Sequence, residues 1–135
     1  MKNKFIWPIR VYYEDTDAGG VVFYANYLKF YERARTEMLR TMGYEQDELI
    51  NREKVIFVVR SVKVDYLKPA KFNDMLDVSA EINSVGPASV IFAQEISCGE
   101  TLLNQASIKI ACLDTETMRP KVIPENLLEQ FKHEC

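Results

Sequence analysis

Three acidic side chains fall within four residues, Glu14, Asp15 and Asp17, and two glycines, Gly19 and Gly20, follow at once. The whole segment reads Tyr13-Glu14-Asp15-Thr16-Asp17-Ala18-Gly19-Gly20-Val21-Val22-Phe23-Tyr24-Ala25-Asn26-Tyr27. A carboxylate can attack a carbonyl directly or act as a general base on water. Adjacent glycines let the backbone come close to a ligand. The segment runs into a stretch with helical periodicity, and a helix start offers unpaired N–H groups and a partial positive charge of about half an electron. Together these form a workable pair: the N–H groups polarise a carbonyl, and the acid attacks it or activates water. The same residues admit other readings. An Asp-x-Asp near a helix start also serves as a cap or turn. A calcium loop begun at Asp15 would put Gly20 at its sixth position, but Asn26 then stands where a bidentate Glu belongs. A phosphatase-type aspartate would need a parallel sheet of βαβ units, which the strand order does not supply.

Rare residues narrow the chemistry. The one histidine, His133, lies in the C-terminal tail, a poor place for a positioned imidazole. Serine–histidine and cysteine–histidine hydrolases are therefore disfavoured. Cys98, Cys112 and Cys135 show no ligand spacing, so neither a zinc site nor a disulfide framework is expected. The pattern implies reduced thiols, with Cys98 and Cys112 in strands. No cofactor is called for. Lys and Arg are scattered and the net charge is −3, so nucleic acid is not an expected partner, because phosphate binding needs clustered positive charge. No apolar run approaches a membrane span of roughly 18 residues, and Met1 to Pro8 has no signal-peptide core. A cytoplasmic location is expected.

The chain of 135 residues is the size of one domain, residues 1–135. Five segments read as strands: about Ile6 to Glu14, Val55 to Tyr66, Met75 to Asn83, Ala88 to Ser97 and Leu102 to Leu113. The third alternates, with Leu76, Val78, Ala80 and Ile82 on one face and Asp77, Ser79, Glu81 and Asn83 on the other. Gly99-Glu100 reads as a tight hairpin turn. One long helix is expected from about Asn26 to Met42, with Asn26 as N-cap and Gly43 as stop. Its apolar side carries Tyr27, Phe30, Tyr31, Ala34 and Met38. Glu32, Arg33, Arg35 and Glu37 read as a solvated face, and a short helix is expected from about Pro124 to Phe131. One helix covering one antiparallel sheet is an α+β layout.

Arg10-Val11-Tyr12-Tyr13-Glu14-Asp15-Thr16-Asp17-Ala18-Gly19-Gly20-Val21-Val22 and Tyr31-Glu32-Arg33-Ala34-Arg35-Thr36-Glu37-Met38-Leu39 resemble the tol–pal-associated (YbgC-type) acyl-CoA thioesterases. These belong to the 4-hydroxybenzoyl-CoA thioesterase group of the hotdog fold. Phe57-Val58-Val59-Arg60 and Tyr66-Leu67-Lys68-Pro69-Ala70 extend the likeness, which covers nearly the whole chain. The resemblance implies a curved antiparallel sheet wrapped around the long helix, with active sites between the subunits of a homodimer or homotetramer. It implies Asp17 as the catalytic carboxylate and Tyr24 as the residue whose backbone N–H polarises the thioester carbonyl. It implies Val59 and Ser89 as substrate-binding residues, Ser89 toward CoA. Tyr24 stands where many YbgC-type members carry His, an exchange that leaves the backbone N–H in place. The basic residues that the hydroxybenzoyl type carries near the turn at Gly86-Pro87-Ala88 are not found here.

This chemistry needs no histidine. Thioester hydrolysis expels a thiolate, and a free thiol has a pKa near 8.5, so the leaving group departs with little protonation. One carboxylate suffices, as nucleophile through a mixed anhydride or as general base. The expected substrates are short-chain or aromatic acyl-CoA thioesters. Acyl carrier protein is a second candidate partner, since both carriers present pantetheine. The competing reading is a non-catalytic module that binds acyl-CoA or acyl carrier protein, or an adaptor of the cell-envelope machinery.

Overall fold

A computed structural model describes residues 4–135. Five strands form one sheet: β1 (Phe5–Arg10), β2 (Val55–Tyr66), β3 (Met75–Val85), β4 (Ser89–Cys98) and β5 (Thr101–Asp114). Their order is β1-β3-β4-β5-β2 and every pairing is antiparallel. Strand β2 is therefore an edge. Register shifts at Val59/Ser61, Ile82/Ser84 and Ile96/Ser97 bend and twist the sheet as bulges do. The β4–β5 hairpin closes through Gly99 at φ +60°, as its sequence predicts.

The long helix α1 (Asn26–Thr41) buries Tyr27, Phe30, Tyr31, Ala34, Met38 and Leu39 against the inner face of the sheet. Leu76, Val78, Ala80 and Ile82 meet it, all fully buried. A short helical turn, α2 (Gln46–Glu48), and a π-type turn (Leu49–Glu53) follow; neither was expected from sequence. Helix α3 (Glu125–Glu134) adds Leu127 and Phe131 to the core, with Phe131 meeting Phe57 and Phe92 edge-on. Among the described residues, no helix is long and apolar enough to cross a membrane.

Four local expectations change. Strand β1 stops at Arg10, and Tyr13–Asp15 forms a 3-10 turn in place of its continuation. Asn26 does not cap α1 through its side chain; its Nδ2 donates to the Asp15 carbonyl at 2.9 Å instead. Ser79 is buried, because Gln94 Nε2 reaches across to its carbonyl and its Oγ accepts from Glu95 N. Arg35, expected on the solvated face, is 8% exposed.

Candidate active site

The acidic segment folds into a short hairpin-like loop fixed by main-chain bonds. Asp17 N donates to Val21 O at 2.9 Å, and Gly20 N donates to Asp17 O at 3.0 Å. Thr16 bridges Val22, Val21 bridges Lys71, and Val22 N reaches Ala70 O. Gly20 sits at φ +79°, a conformation that costs an L side chain roughly 1–2 kcal/mol. Gly19 is tight for a different reason: a Cβ there would meet Asp17 Oδ1 at 3.3 Å.

Asp17 Oδ1 accepts from Gly19 N at 2.8 Å, so the turn reading of the Asp-x-Asp pair is correct for the local geometry. That bond engages one carboxylate oxygen and aims the side chain. The second oxygen has no partner among the described residues, and Asp17 is exposed on the single chain. Asp15 has a structural part: its Oδ2 accepts from Tyr12 N at 2.8 Å. Its carbonyl accepts twice, from Phe23 N at 3.0 Å and from Asn26 Nδ2 at 2.9 Å. The acid loop is thereby tied to the residues that open α1.

The Tyr24 amide owes its direction to that turn. Asn26 N donates to Phe23 O at 2.8 Å, so the Phe23 carbonyl points toward the helix. A trans peptide is planar, with N–H opposed to C=O; the Tyr24 N–H therefore points away from α1, outward. It donates to no other described residue. The next peptide is held by Tyr66, whose hydroxyl donates to Tyr24 O at 3.2 Å. Tyr66 is also braced edge-on by the ring of Tyr27, 5.5 Å away, and Tyr27 Oη accepts from Ala70 N at 3.0 Å. Sequence reading missed Tyr66 as a site residue; its place in the Tyr66-Leu67-Lys68-Pro69-Ala70 block was the available signal.

Val59 and Ser89 lie elsewhere. Val59 pairs with Ile110, which pairs with Val90. Ser89 opens β4 one residue before Val90, and its Oγ packs against Gly86, where a Cβ would meet it at 3.0 Å. Tyr66, which marks the Tyr24 end, pairs with Asn104, which pairs with Ile96. From Val90 to Ile96 along β4 is about 20 Å at ~3.3 Å per residue. One chain thus brings Asp17 and Tyr24 together at one end of the sheet, and Val59 and Ser89 together at the other. It does not join the four.

At the Val59 end, a cavity of about 110 Å³ lies between α1 and the sheet, with Arg35, Phe57, Val59, Val90, Phe92 and Phe131 in its wall. Arg35 Nη1 donates to Gln94 Oε1 at 2.9 Å. Burial pushes the Arg35 guanidinium down to about 10, with Glu32 acting the other way. Arg60 is the extra residue at the β2 bulge, exposed, and Lys63 lies on the outer sheet face beside Asp65 and Glu81. Among the described residues, no cluster of His, Cys, Asp and Glu is arranged to hold a metal ion.

Comparison with known proteins fits this architecture. The family model described as the thioesterase-like superfamily matches residues 11–131. The acyl-CoA thioester hydrolase YbgC of Escherichia coli is 50% identical over 129 residues, covering 95% of this chain and 96% of the relative. The acyl-CoA thioesterase YbgC of Haemophilus influenzae is 43% identical over 133 residues, 98% of each chain. The crystal structure of a probable thioesterase from Bartonella henselae superposes with a TM-score of 0.87 at 34% identity, over 90% of this chain and 100% of that one.

Proposed function

The chain belongs to the thioesterase-like superfamily, and from that premise we propose that it hydrolyses acyl-CoA thioesters to free acid and CoA, with Asp17 and the Tyr24 amide as the reacting pair. The observation that carries this is an outward-facing Tyr24 N–H, without a partner among the described residues, on the same tied loop as a carboxylate with one oxygen likewise unpartnered among them. The amide donates to the thioester oxygen as charge builds there, a contribution typically worth about 2.7–4 kcal/mol of barrier. The Asp17 carboxylate attacks the carbonyl carbon or draws a proton from the water that does. The CoA thiolate then leaves without a dedicated acid.

The two halves of the site meet in a dimer. Strand β2 is a long unpaired edge bearing exposed Val59, Val62 and Tyr66. An uncovered edge of this kind invites strand pairing. A two-fold axis pairing β2 with a second β2, antiparallel, lays the Phe57–Val59 end of one copy near the Tyr66 end of the other. The expected assembly is a homodimer, or a homotetramer of two such pairs. Ser89 then faces the CoA of the site opposite. An acyl-pantetheine on a carrier protein presents the same thioester and is a candidate substrate. A cytoplasmic location accords with three unpaired cysteines.

The test is thiol release from a panel of short-chain and aromatic acyl-CoA thioesters by the wild type and by Asp17→Asn. An Asn oxygen still accepts from Gly19 N, so the fold should persist by circular dichroism. The substitution should lower kcat by at least about 100-fold, the range of a lost acid–base or nucleophilic group. Equal rates in the two proteins reject the role of Asp17, and no thiol release by the wild type rejects the activity.

A further inference from the structure

The buried cation Arg35, whose partner Gln94 lies partway along β4 between the two ends, has no duty in the chemistry just described. Arg35 stands at 8% exposure on α1, beside aromatic and aliphatic side chains. Its one hydrogen-bond acceptor among the described residues is a neutral amide oxygen, Gln94 Oε1. That oxygen is itself held in place. Gln94 Nε2 donates to Tyr31 O at 3.1 Å and to Ser79 O at 3.0 Å, which orients the amide with its oxygen toward Arg35. A guanidinium carries five N–H donors in a fixed fork, and burying such a group with most donors unmet is costly. The donors left over are not sealed in protein: Asn104 Nδ2 is the buried side-chain polar atom without a partner among the described residues, and no Arg35 nitrogen shares that condition. Arg35 instead forms part of the cavity wall, and so does Val59.

We infer that this cavity receives the far end of the acyl group and that Arg35 selects for a neutral hydrogen-bond-accepting oxygen there, a keto or hydroxyl group, over plain alkyl. The inference rests on the thioesterase reading and on a site shared between two copies, since it is the β2 pairing that carries the cavity of one chain toward Asp17 of the other. Size sets the first limit. A cavity of about 110 Å³ is somewhat smaller than one of roughly 150 Å³ that takes benzene, enough for a branched tip of about four or five non-hydrogen atoms and too small for a long chain. Charge sets the second. Glu32 lines the same cavity, and its charge acts on Arg35 in opposition to burial, so it partly offsets the Arg35 charge. A terminal carboxylate would meet Glu32 as well as Arg35, whereas an uncharged oxygen accepts from Arg35 without that repulsion. A site built to donate a hydrogen bond discriminates strongly against an isostere that lacks the acceptor, because its polar group is then left unpaired.

The test compares 4-oxopentanoyl-CoA with 4-methylpentanoyl-CoA, which differ by a methyl in place of the keto oxygen, with succinyl-CoA as the carboxylate arm. Wild type should show a kcat/KM ratio of about ten or more for the oxo over the methyl substrate, with succinyl-CoA below the oxo substrate. In Arg35→Met the ratio should fall to near one, and Arg35→Lys should restore part of it. A wild-type ratio near one, or a ratio unchanged in Arg35→Met, overturns the inference while hydrolysis of both substrates leaves the thioesterase reading standing; no hydrolysis of any acyl-CoA overturns both. Should Arg35→Met fail to fold, Val59→Trp occupies the cavity from the edge strand. It should depress hydrolysis of both branched substrates relative to acetyl-CoA by about tenfold, and an unchanged profile again overturns the inference.

Discussion

The two ends of this sheet are built from different materials. Around Asp17 and Tyr24 the fixing hydrogen bonds run between main-chain atoms, as from Asp17 N to Val21 O, Phe23 N to Asp15 O and Asn26 N to Phe23 O, or join a side chain to a main-chain atom, as Asp15, Asp17, Asn26 and Tyr66 do. The loop stays open to solvent. Around Arg35 the wall is made of side chains, Phe57, Phe92 and Phe131 among them, and the polar group is locked by a second side chain, Gln94. The contrast matches the division of labour proposed above. Polarising a carbonyl requires an amide aimed within tight limits, and a planar peptide pinned at its carbonyl supplies that aim. Choosing among acyl groups requires volume and a few placed donors, and only side chains vary those. On the proposed reading, backbone sets the reaction at one end and side-chain chemistry sets the ligand at the other.

The sharpest way to break this contrast is to put a defect in each end and mix the chains. Assayed on 4-methylpentanoyl-CoA, where each is impaired alone, Asp17→Asn and Val59→Trp proteins should regain about a quarter of wild-type activity after subunit exchange, since half of randomly mixed dimers are hybrid and hold one intact site of two. If each chain carries its own complete site, mixing restores nothing.

A smaller effect is expected where a side chain reaches into the main-chain end. Tyr66→Phe removes the hydroxyl from Tyr24 O, a hydrogen bond of about 1 kcal/mol, or about fivefold in rate. The loss should fall on kcat with KM little changed, because the bond orients the turn that opens α1 and does not touch the CoA. An equal loss in KM would make Tyr66 a binding residue instead.

The smallest change separates stability from catalysis. Gly20→Ala places a side chain at φ +79° with nothing within 4 Å of the new methyl. Backbone strain alone should then cost about 1–2 kcal/mol of unfolding free energy, read as a lower urea midpoint with an unchanged slope. Val59→Trp, on the edge strand, should shift that midpoint less. The reverse order would mean that the cavity end, and not the acid loop, holds the tighter geometry.

Much of this layout was legible beforehand. The alternation of Leu76, Val78, Ala80 and Ile82 names the inner face of β3, and all four are buried. Gly43, at φ +92°, stops α1 where its sequence says. Arg35 was misread because Glu32, Arg33 and Glu37 surround it in the chain with charge. The corrective signal was present: Arg35 lies four residues after Tyr31 and four before Leu39, and side chains at that spacing share a helix face. Asn26 was misread for a related reason. An Asn at a helix start is a normal cap, and nothing local says that the Asp15 carbonyl will be near enough to capture its amide.

Composition, periodicity and one contiguous block were enough to determine the kind of fold and the family resemblance, because strands, helices and turns answer to local patterns of polarity and backbone freedom. Where four named residues end up in space is a different question. Asp17 with Tyr24, and Val59 with Ser89, were sorted to opposite ends of the sheet by strand order and register, which arise from pairings among segments far apart in the chain. The same long-range packing turned Arg35 inward and gave it Gln94 as a partner, since burial depends on what lies across the core and not on the neighbours in sequence.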